Sequence, residues 1–329
     1  MPLYDNHGRP INYLRLAVTD RCNLRCFYCM PAEGVTYAPK QELLTYEEME
    51  RLVRLLANLG ITKVRITGGE PFVRRGLLSF LQRIKAILGI QELHLTTNGV
   101  LTTPHIAELK VLGLSSVNLS LDTLSRERFL TITRRDDHER VMRCFYGLLE
   151  AEIPTKINAV VMEGQNTEDI IPLAELTRQY PVSVRFIEEM PFNGTDREAP
   201  LRWTHRKITA TLQAQYPNLE RVPDAPHSTA YHFRLPGGRG TVGVIAAYSR
   251  TFCGTCNRIR LTALGALKTC LYDQGVLDVK RLMRHGASDE QLTQAFRHAF
   301  AQRAKDGHAA EQQRGPAAFV TESMSTIGG

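Results

Sequence analysis

Short strand patterns alternate with helical patterns through the first two thirds of the chain, and this order constrains the fold more than any other feature. Six strands are predicted, at residues 14–18, 63–67, 93–97, 117–121, 156–161 and 182–187, with helices at about 46–58, 76–88, 104–112, 139–150 and 167–179. Thr45 and Glu48 have capping-box spacing before the first helix, and Gly60 follows its end. Strands that alternate with helices form βα units, so we predict a parallel sheet in an α/β fold. Six units rather than eight favour a partial, TIM-like (βα)6 barrel.

The pattern changes after about residue 193. Residues 217–227 are rich in Pro, Asn and Asp and lack periodicity, as is typical of a linker. Strand patterns at 231–235 and 241–249, separated by a Pro- and Gly-rich turn, predict an antiparallel hairpin, and helices are predicted at 278–285 and 289–303. We therefore predict a core domain over residues 6–229 and a smaller C-terminal α+β domain over residues 230–329.

Composition and charge exclude several classes of protein. Hydrophobic residues make up 43% of the 329 residues, which excludes a disordered chain. The net charge is +7, from 41 Lys and Arg against 34 Asp and Glu, but the excess is spread along the chain. This distribution predicts no nucleic-acid partner and is compatible with an anionic small molecule. No apolar run reaches the roughly 18 residues of a membrane span, and residues 1–10 lack the apolar stretch of a secretory signal, so we predict a cytoplasmic protein without a membrane partner.

Cysteine spacing points to chemistry. Six of the seven cysteines fall into two groups, Cys22, Cys26 and Cys29, and then Cys253, Cys256 and Cys270. The seventh, Cys144, lies in an apolar periodic stretch and is predicted to be a buried helix thiol. In a reducing compartment such groups indicate metal sites rather than disulfides.

The first group has the spacing C-x3-C-x2-C and follows the first predicted strand directly. Three thiolates on one loop can bind three irons of a cubane cluster and leave the fourth iron open, whereas a closed zinc site requires four ligands. The second group, C-x2-C-x13-C, leaves two interpretations open. It is either a second cluster with an open iron or a zinc site whose fourth ligand, among His227, His232 and His285, does not lie at ligand spacing.

A glycine turn, Gly68-Gly69-Glu70-Pro71, follows the second predicted strand. Glycines at the carboxyl end of a parallel strand allow a ligand to approach the backbone closely. We therefore expect this turn to lie at the same ligand site as the first cysteine group.

The Cys22 to Cys29 motif, together with the glycine turn, resembles the signature of the radical S-adenosylmethionine (radical SAM) enzymes. The resemblance implies that the three cysteines hold a 4Fe-4S cluster whose open iron binds S-adenosylmethionine. It also implies that this cofactor is contacted by Tyr28, Gly69, Ser120 and Met190.

Three further segments resemble one subfamily, the GTP 3′,8-cyclases of molybdenum cofactor biosynthesis. They are residues 13–16 (YLRL), residues 65–71 (RITGGEP) and the run from Cys253 to Leu271, and the terminal Gly-Gly pair adds to them. The resemblance covers about residues 12–329, although residues 191–201 and 217–227 match only loosely.

This second resemblance implies a larger site. Cys253, Cys256 and Cys270 would hold a second 4Fe-4S cluster whose open iron binds the guanine base. The implied GTP contacts are Arg15, Arg65, Thr96, Lys156, Arg258, Ile259 and Arg260. A catalytic role is implied for Arg258, Arg260, Gly328 and Gly329, with the last two entering the active site as a flexible tail.

The implied reaction converts GTP to (8S)-3′,8-cyclo-7,8-dihydroguanosine 5′-triphosphate. A 5′-deoxyadenosyl radical takes the C3′ hydrogen of GTP, and the resulting carbon radical adds to C8 of the base. The resemblance further implies a homodimer, a reductant protein of unknown identity, and cyclic pyranopterin monophosphate synthase as the downstream enzyme. Two alternatives stay open, namely another radical SAM enzyme with an auxiliary cluster, such as a peptide maturase, and a non-catalytic metal-binding scaffold.

Overall fold

The computed structural model describes residues 3–31, 34–190, 201–313 and 323–327. The first part of the chain alternates strands and helices. Its strands are β1 (Tyr13–Ala17), β2 (Lys63–Thr67), β3 (Glu92–Thr97), β4 (Ser116–Ser120), β5 (Thr155–Val161) and β6 (Ser183–Glu188). Its helices are α1 (Tyr46–Asn58), α2 (Leu77–Lys85), α3 (Ile106–Val111), α4 (Arg126–Thr133), α5 (His138–Glu150) and α6 (Ile170–Gln179).

The second part contains shorter strands and five helices within the described residues. After α7 (His205–Gln215) come β7 (Glu220–Arg221), β8 (Ala230–Arg234), β9 (Thr241–Ile245), β10 (Arg258–Leu261), β11 (Ala266–Lys268) and β12 (Leu277–Asp278). The chain continues through α8 (Val279–Arg284), α9 (Asp289–Ala301), α10 (Gly307–Gln312) and α11 (Met324–Ile327).

All twelve strands form one sheet in the order β12-β11-β10-β1-β2-β3-β4-β5-β6-β9-β8-β7. The pairs from β1 to β6 are parallel, and β10 and β9 add to β1 and β6 as further parallel strands. The order begins at β12 and ends at β7 rather than closing on itself, so the predicted partial barrel is confirmed.

The sheet draws strands from both predicted domains. The hairpin β8–β9 is antiparallel, as predicted, but β9 also pairs with β6, and β10 pairs with β1. The two segments therefore share one sheet, and the boundary between residues 229 and 230 stays a prediction. Sequence patterns predicted neither α4 nor α7, and the short strand β7 lies inside the predicted linker.

The two faces of the strands differ in character. On β1 and β2, residues such as Leu14, Leu16, Val64 and Ile66 are fully buried in the hydrophobic core. The alternate positions carry polar and charged side chains, which therefore face the inside of the partial barrel. Parallel strands are usually apolar on both faces, so a polar inner face indicates a ligand site. None of the described helices is long and apolar enough to cross a membrane.

Candidate active site

A cavity of about 330 Å³ lies on the inner face of the sheet. Most of its lining residues lie at or just after the carboxyl ends of the strands, where ligands of parallel α/β folds bind. The predicted site residues that line it are Arg15, Cys22, Cys26, Tyr28, Cys29, Gly69, Thr96, Ser120, Met190, Cys253, Cys256, Arg258, Arg260 and Cys270. Both cysteine groups, 231 residues apart at their first members, thus border one cavity.

The remaining predicted residues lie elsewhere. Arg65 and Lys156 lie on the inward faces of β2 and β5. They do not line the cavity themselves, but they are next to residues that do. Ile259 is fully buried in the hydrophobic core, so a contact with a nucleotide would have to come from its main chain. Gly328 and Gly329 lie outside the described residues. Cys144 is fully buried in α5, as predicted, and burial raises the pKa of its thiol to about 12.

We define the first cysteine loop as residues 22–30. Backbone hydrogen bonds form a turn at its second half. The N–H groups of Cys29 and Met30 both donate to the carbonyl of Cys26, at 2.9 Å each. Burial raises the pKa of the Cys22 thiol to about 12 and that of Cys29 to about 11. Thiols buried together in this way become thiolates only when positive charge is nearby. Iron ions would supply that charge.

Hydrogen-bond donors are directed at the cysteine sulfurs of both groups. Asn98 Nδ2 lies 3.6 Å from Cys22 Sγ, and Arg303 Nη2 lies 3.2 Å from Cys256 Sγ. Backbone N–H groups also donate to sulfurs, from Leu24 to Cys22, Ser325 to Cys29, Gly307 to Cys253 and Tyr272 to Cys270. Such hydrogen bonds stabilise cluster thiolates and tune their clusters, so both cysteine groups fit iron–sulfur ligands.

The cysteine groups do not have the geometry of a single-ion site. Within the described ranges, no three Cys, His, Asp or Glu side chains converge on a position for one metal ion. A cubane binds each of its cysteines through a different iron, so its ligands border a cavity rather than meet at one point.

The glycine turn packs directly against the segment that precedes the first cysteine loop. Gly69 N–H donates to Thr19 and Glu70 N–H to Arg21, at 2.9 and 2.8 Å. A Cβ on Gly69 would lie 2.1 Å from the Arg21 carbonyl oxygen, and Gly68 has a φ of +147°. Glycine is therefore required here for the close approach of two backbones, in addition to the ligand approach that the sequence suggested.

Tyr28 is held by a buried acid. Its hydroxyl donates to Asp122 Oδ2 at 2.8 Å, and the N–H of Val160 donates to Asp122 Oδ1 at 2.8 Å. Burial raises the pKa of Asp122 to about 6. Tyr28 and Asp122 both line the cavity beside Ser120, so this side of the site combines a fixed ring with polar atoms.

Arginines from three strands form one row across the inner face. In the register of the sheet Arg15 pairs with Arg65 on one side and with Arg260 on the other. We call Arg15, Arg65 and Arg260 the arginine row. Burial, and the charges of neighbouring arginines, lower the pKa of Arg260 to about 10 and that of Arg15 well below its ordinary value. Cations that destabilise one another in this way would be stabilised by a bound polyanion.

Four further residues around the cavity carry buried polar atoms that lack partners in the described structure. The atoms are Thr96 Oγ1, Asn118 Oδ1, Asn158 Oδ1, and Nε and Nη2 of Arg185. Buried polar atoms are normally hydrogen-bonded, so these atoms indicate a polar ligand. Of the four residues, sequence analysis identified only Thr96. The strand pattern at 182–187 contained a signal for Arg185, since it places a charged residue two positions before the apolar Ile187 on the same face.

The second cysteine loop, residues 253–270, is bordered by cations. Arg258 Nη2 lies 3.4 Å from Cys256 Sγ, and its guanidinium lies over the ring of Phe252 at 5.0 Å. Burial opposes ionisation of Cys256, but the charges of Arg258 and Arg303 outweigh it and lower the pKa of the thiol to about 6. A thiolate at this position is thus favoured even before a metal binds.

The comparisons with known proteins agree with this geometry. Residues 16–177 match the family model of the Radical SAM superfamily, and residues 182–309 match that of Molybdenum Cofactor Synthesis C. A GTP 3′,8-cyclase of Heliobacterium modesticaldum is 42% identical over 330 residues, which cover 99% of this chain and 100% of that protein. The chain belongs to the GTP 3′,8-cyclase family.

Other relatives of this cyclase family extend the comparison. Molybdenum cofactor biosynthesis protein 1 of Bos taurus is 42% identical over 88% of this chain, which spans about half of that protein, 46% of its length. The crystal structure of Streptococcus suis SuiB has a TM-score of 0.61 and 14% identity, and the match covers 88% of this chain and 65% of that one. The likeness to SuiB shows the fold alone.

The match to the Radical SAM superfamily implies a 4Fe-4S cluster and S-adenosylmethionine as the cofactors of this site. The first cysteine loop fits the cluster by its thiols and their hydrogen-bond donors. The Oδ1 atoms of Asn118 and Asn158, which lack partners among the described residues and lie next to Ser120 on β4 and β5, fit a polar cofactor in the same cavity.

Proposed function

We propose that this protein converts GTP to (8S)-3′,8-cyclo-7,8-dihydroguanosine 5′-triphosphate, the first step of molybdenum cofactor biosynthesis. One observation carries the proposal, namely that two cysteine loops and two members of the arginine row, Arg15 and Arg260, border a single cavity. A cluster site alone would suit any radical SAM enzyme, whereas several converging cations suit a triphosphate.

The residues of this chain bind and orient the reactants. Cys22, Cys26 and Cys29 would hold the first cluster, and Tyr28, Gly69, Ser120 and Met190 would contact S-adenosylmethionine. When bound there, cluster and cofactor supply a carbon-centred radical that can take the C3′ hydrogen of GTP. The protein must hold C3′ close to that radical and exclude water, which a cavity at the strand ends favours.

GTP would be held from the opposite side of the cavity. Guanidinium groups bind phosphate oxygens bidentately, and Arg15, Arg258, Arg260 and Arg185 all line the cavity. Arg65, Thr96 and Lys156, with the main chain of Ile259, complete the proposed GTP site.

The second cluster is part of the proposal. Cys253, Cys256 and Cys270 would hold it, with its open iron toward the guanine base, because all three line the same cavity and accept hydrogen bonds as cluster thiolates do. Iron and sulfide analysis of reconstituted protein should give about eight irons per chain for two 4Fe-4S clusters. Cys270→Ala should lower this to about four, while the matched variant Cys144→Ala should leave it unchanged. Stoichiometric zinc in place of the second four irons would contradict the assignment.

The terminal glycines belong to the proposal through the segment that precedes them. Met324 and Ser325 line the cavity, and Ser323 Oγ donates to the carbonyl of Cys29 at 2.6 Å. Residues 323–327 therefore support an active-site tail that ends in Gly328 and Gly329. We also propose a cytoplasmic homodimer that receives electrons from a reductant protein and passes its product to cyclic pyranopterin monophosphate synthase.

Formation of 5′-deoxyadenosine tests the reaction. Anaerobically reconstituted protein is mixed with S-adenosylmethionine, dithionite and each nucleoside triphosphate in turn. We expect a burst that requires GTP and is absent in Cys26→Ala but present in Cys144→Ala. Cleavage indifferent to the nucleotide would indicate a different radical enzyme, and no cleavage by protein with full iron and sulfide would contradict the enzymatic function.

A further inference from the structure

Tyr13 lies directly beneath the arginine row and has no role in the site described above. It precedes Arg15 by two residues on the inward face of β1, and in the sheet register it lies between Arg258 and Lys63. The Nε of Arg65 donates to its hydroxyl at 2.6 Å, and Lys63 Nζ lies 5.3 Å from its ring centre. The hydroxyl thus accepts a charge-assisted hydrogen bond from a member of the row.

This hydrogen bond fixes the guanidinium of Arg65. Nη1 of the same group donates to the carbonyl of Leu95 at 3.1 Å, and Arg65 is only 4% exposed. With Nε and Nη1 engaged behind the row, the orientation of the whole planar group is set.

A negative charge at this point would offset an excess of cations, of which Lys63 is already paired with Glu92 Oε2 at 2.8 Å. Arg15, Lys63 and Arg65 act on Tyr13 directly, and Lys156, Arg185 and Arg260 interact with it across the inner face. The inward side chains of β4 in the same rows, Ser116 and Asn118, are uncharged.

We propose that the Tyr13 hydroxyl is the internal counter-ion of the arginine row, ionised while the site is empty and protonated when a triphosphate binds. The triphosphate then takes over the neutralisation of the row, and the phenolate next to it is no longer stabilised. Binding of GTP is therefore coupled to the uptake of a proton from solvent at Tyr13 Oη. The inference rests on the proposed function, because it requires a triphosphate at the row.

The pH range of the effect follows from the charges around Tyr13. Burial raises the pKa of its hydroxyl, but Arg65, Arg15 and Lys63 outweigh burial and lower the pKa to about 7, from 10.0. A bound polyanion moves the pKa back up, so the empty site is ionised and the filled site is not between about pH 7 and pH 10. At pH 8 the expected uptake at Tyr13 is roughly 0.9 proton, and at pH 6 it is roughly 0.1 proton.

The proton uptake of Tyr13 has to be distinguished from that of other titratable groups near the row. On β3, His94 Nε2 lies 2.8 Å from Glu92 Oε2, and burial and the neighbouring cations lower the pKa of His94 to about 3, so it is neutral at pH 8. Burial and the cations Arg185, Arg65 and Lys63 lower the pKa of Lys156 to about 8, so Lys156 can also take up a proton when an anion binds.

Calorimetry in two buffers measures the proton uptake. GTP is titrated into reconstituted full-length protein at pH 6 and pH 8, in buffers with different ionisation enthalpies, whose difference in heat gives the number of protons. Tyr13→Phe keeps the ring and should lose roughly 0.9 proton of the uptake at pH 8. Lys156→Met should keep the proton uptake that belongs to Tyr13. Tyr46→Phe, which removes a hydroxyl on α1 that donates to the carbonyl of Arg74, should behave as wild type.

The outcomes distinguish this inference from the proposed function. Wild-type protein that binds GTP without proton uptake at pH 8 would overturn the inference even if Tyr13→Phe failed to fold. Weaker GTP binding in Tyr13→Phe with unchanged proton uptake would reduce Tyr13 to a packing role and also overturn it. Failure of wild-type protein with full iron content to bind GTP would instead contradict the proposed function.

Discussion

Single residues on the inner face of the sheet show what the cavity is built to bind. Arg185 is the clearest case, since Nε and Nη2 are buried without a partner in the described structure. Burial, and then the charge of Arg65, lower the pKa of this guanidinium to about 9. A buried cation in this state is unfavourable unless an anion completes the site.

Replacing Arg185 should therefore weaken GTP binding. Arg185→Ala removes a charge-assisted hydrogen bond, which amounts to about 1.5–3 kcal/mol and roughly a 10- to 140-fold increase in Kd. Titration calorimetry with GTP measures the change, and iron content should stay at the wild-type level. Arg234→Ala, at an exposed position on β8, is the matched control. An unchanged Kd in Arg185→Ala would remove this residue from the site.

Glu70, in the glycine turn, makes the stability of the protein depend on pH. Its carboxylate is fully buried and accepts hydrogen bonds from Asn98 N–H at 2.8 Å, Thr97 Oγ1 at 2.9 Å and Phe72 N–H at 3.2 Å. Burial raises its pKa to about 7 in spite of these donors. Because the folded pKa lies above the ordinary value, the contribution of Glu70 to stability is fully present below about pH 4.5 and is lost as the pH rises through about 7.

Glu70→Gln should remove this dependence on pH. The free energy of unfolding of the wild type minus that of the variant should be larger at pH 5.5 than at pH 8.5. Urea titrations followed by circular dichroism measure it, with Glu220→Gln, an exposed residue of β7, as the control. A difference that is constant between the two pH values would show that Glu70 does not titrate in this range.

At the scale of elements, the first cysteine loop depends on the end of α4. The carbonyls of Ile132 and Thr133 accept hydrogen bonds from the N–H groups of Phe27 and Arg25, at 3.1 and 2.9 Å. Arg134 then turns the chain with a φ of 55°, and its Nη1 donates to the carbonyls of Arg25 and Met30, at 3.4 and 3.2 Å. A non-glycine residue in this left-handed conformation is strained, and such strain is often retained near functional sites.

Loss of the Arg134 side chain should loosen the first cysteine loop. Arg134→Ala removes two hydrogen bonds that together contribute about 1–3 kcal/mol, so the first cluster should be lost to a chelator at least about fivefold faster. The decay of cluster absorbance under EDTA measures this rate. Arg135→Ala is the control, because the side chain of this exposed neighbour donates only to the carbonyl of Arg134 among the described contacts. Equal rates in the two variants would contradict a bracing role.

At the scale of the whole molecule, the N-terminal segment is fastened to the second cysteine loop. Asp5 accepts from Arg9 Nε at 2.6 Å and from Arg303 Nη1 at 3.2 Å, and both arginines are almost fully buried. Arg9 donates to the carbonyl of Cys253 and Arg303 to that of Cys256, at 3.1 and 2.9 Å. Residues almost 300 positions apart thereby shape one metal-binding loop.

Breaking this buried ion-pair network should affect both stability and the second site. Arg303→Ala leaves Asp5 with one cation fewer in a buried site, which should lower the free energy of unfolding by about 3–5 kcal/mol. Urea titration measures the loss, and iron analysis should show depletion of the second cluster before the first. Arg297→Ala, exposed on α9, should change neither. Retention of stability and of all irons in Arg303→Ala would show that the network is dispensable.

The features that could be predicted from the sequence are those that depend on neighbouring residues. Cysteine spacing, the glycine turn and the alternation of strands and helices are local patterns, so they predicted the parallel sheet and both cysteine loops from neighbouring residues alone. The buried helix position of Cys144 and the confirmed hairpin β8–β9 have the same local origin. Resemblance to the family then related Arg15, Arg65 and Arg260 to one ligand.

Only the tertiary structure decided which distant residues meet. The pairing of β9 with β6 and of β10 with β1 joins segments that look like a separate domain in sequence. The same register brings the arginine row together and places Tyr13 beneath it. These features depend on contacts between strands that are far apart in the chain, so no short-range sequence pattern predicts them. The direction of a side chain is set locally by its strand. Its partner across the barrel is set by the register and packing of the whole sheet.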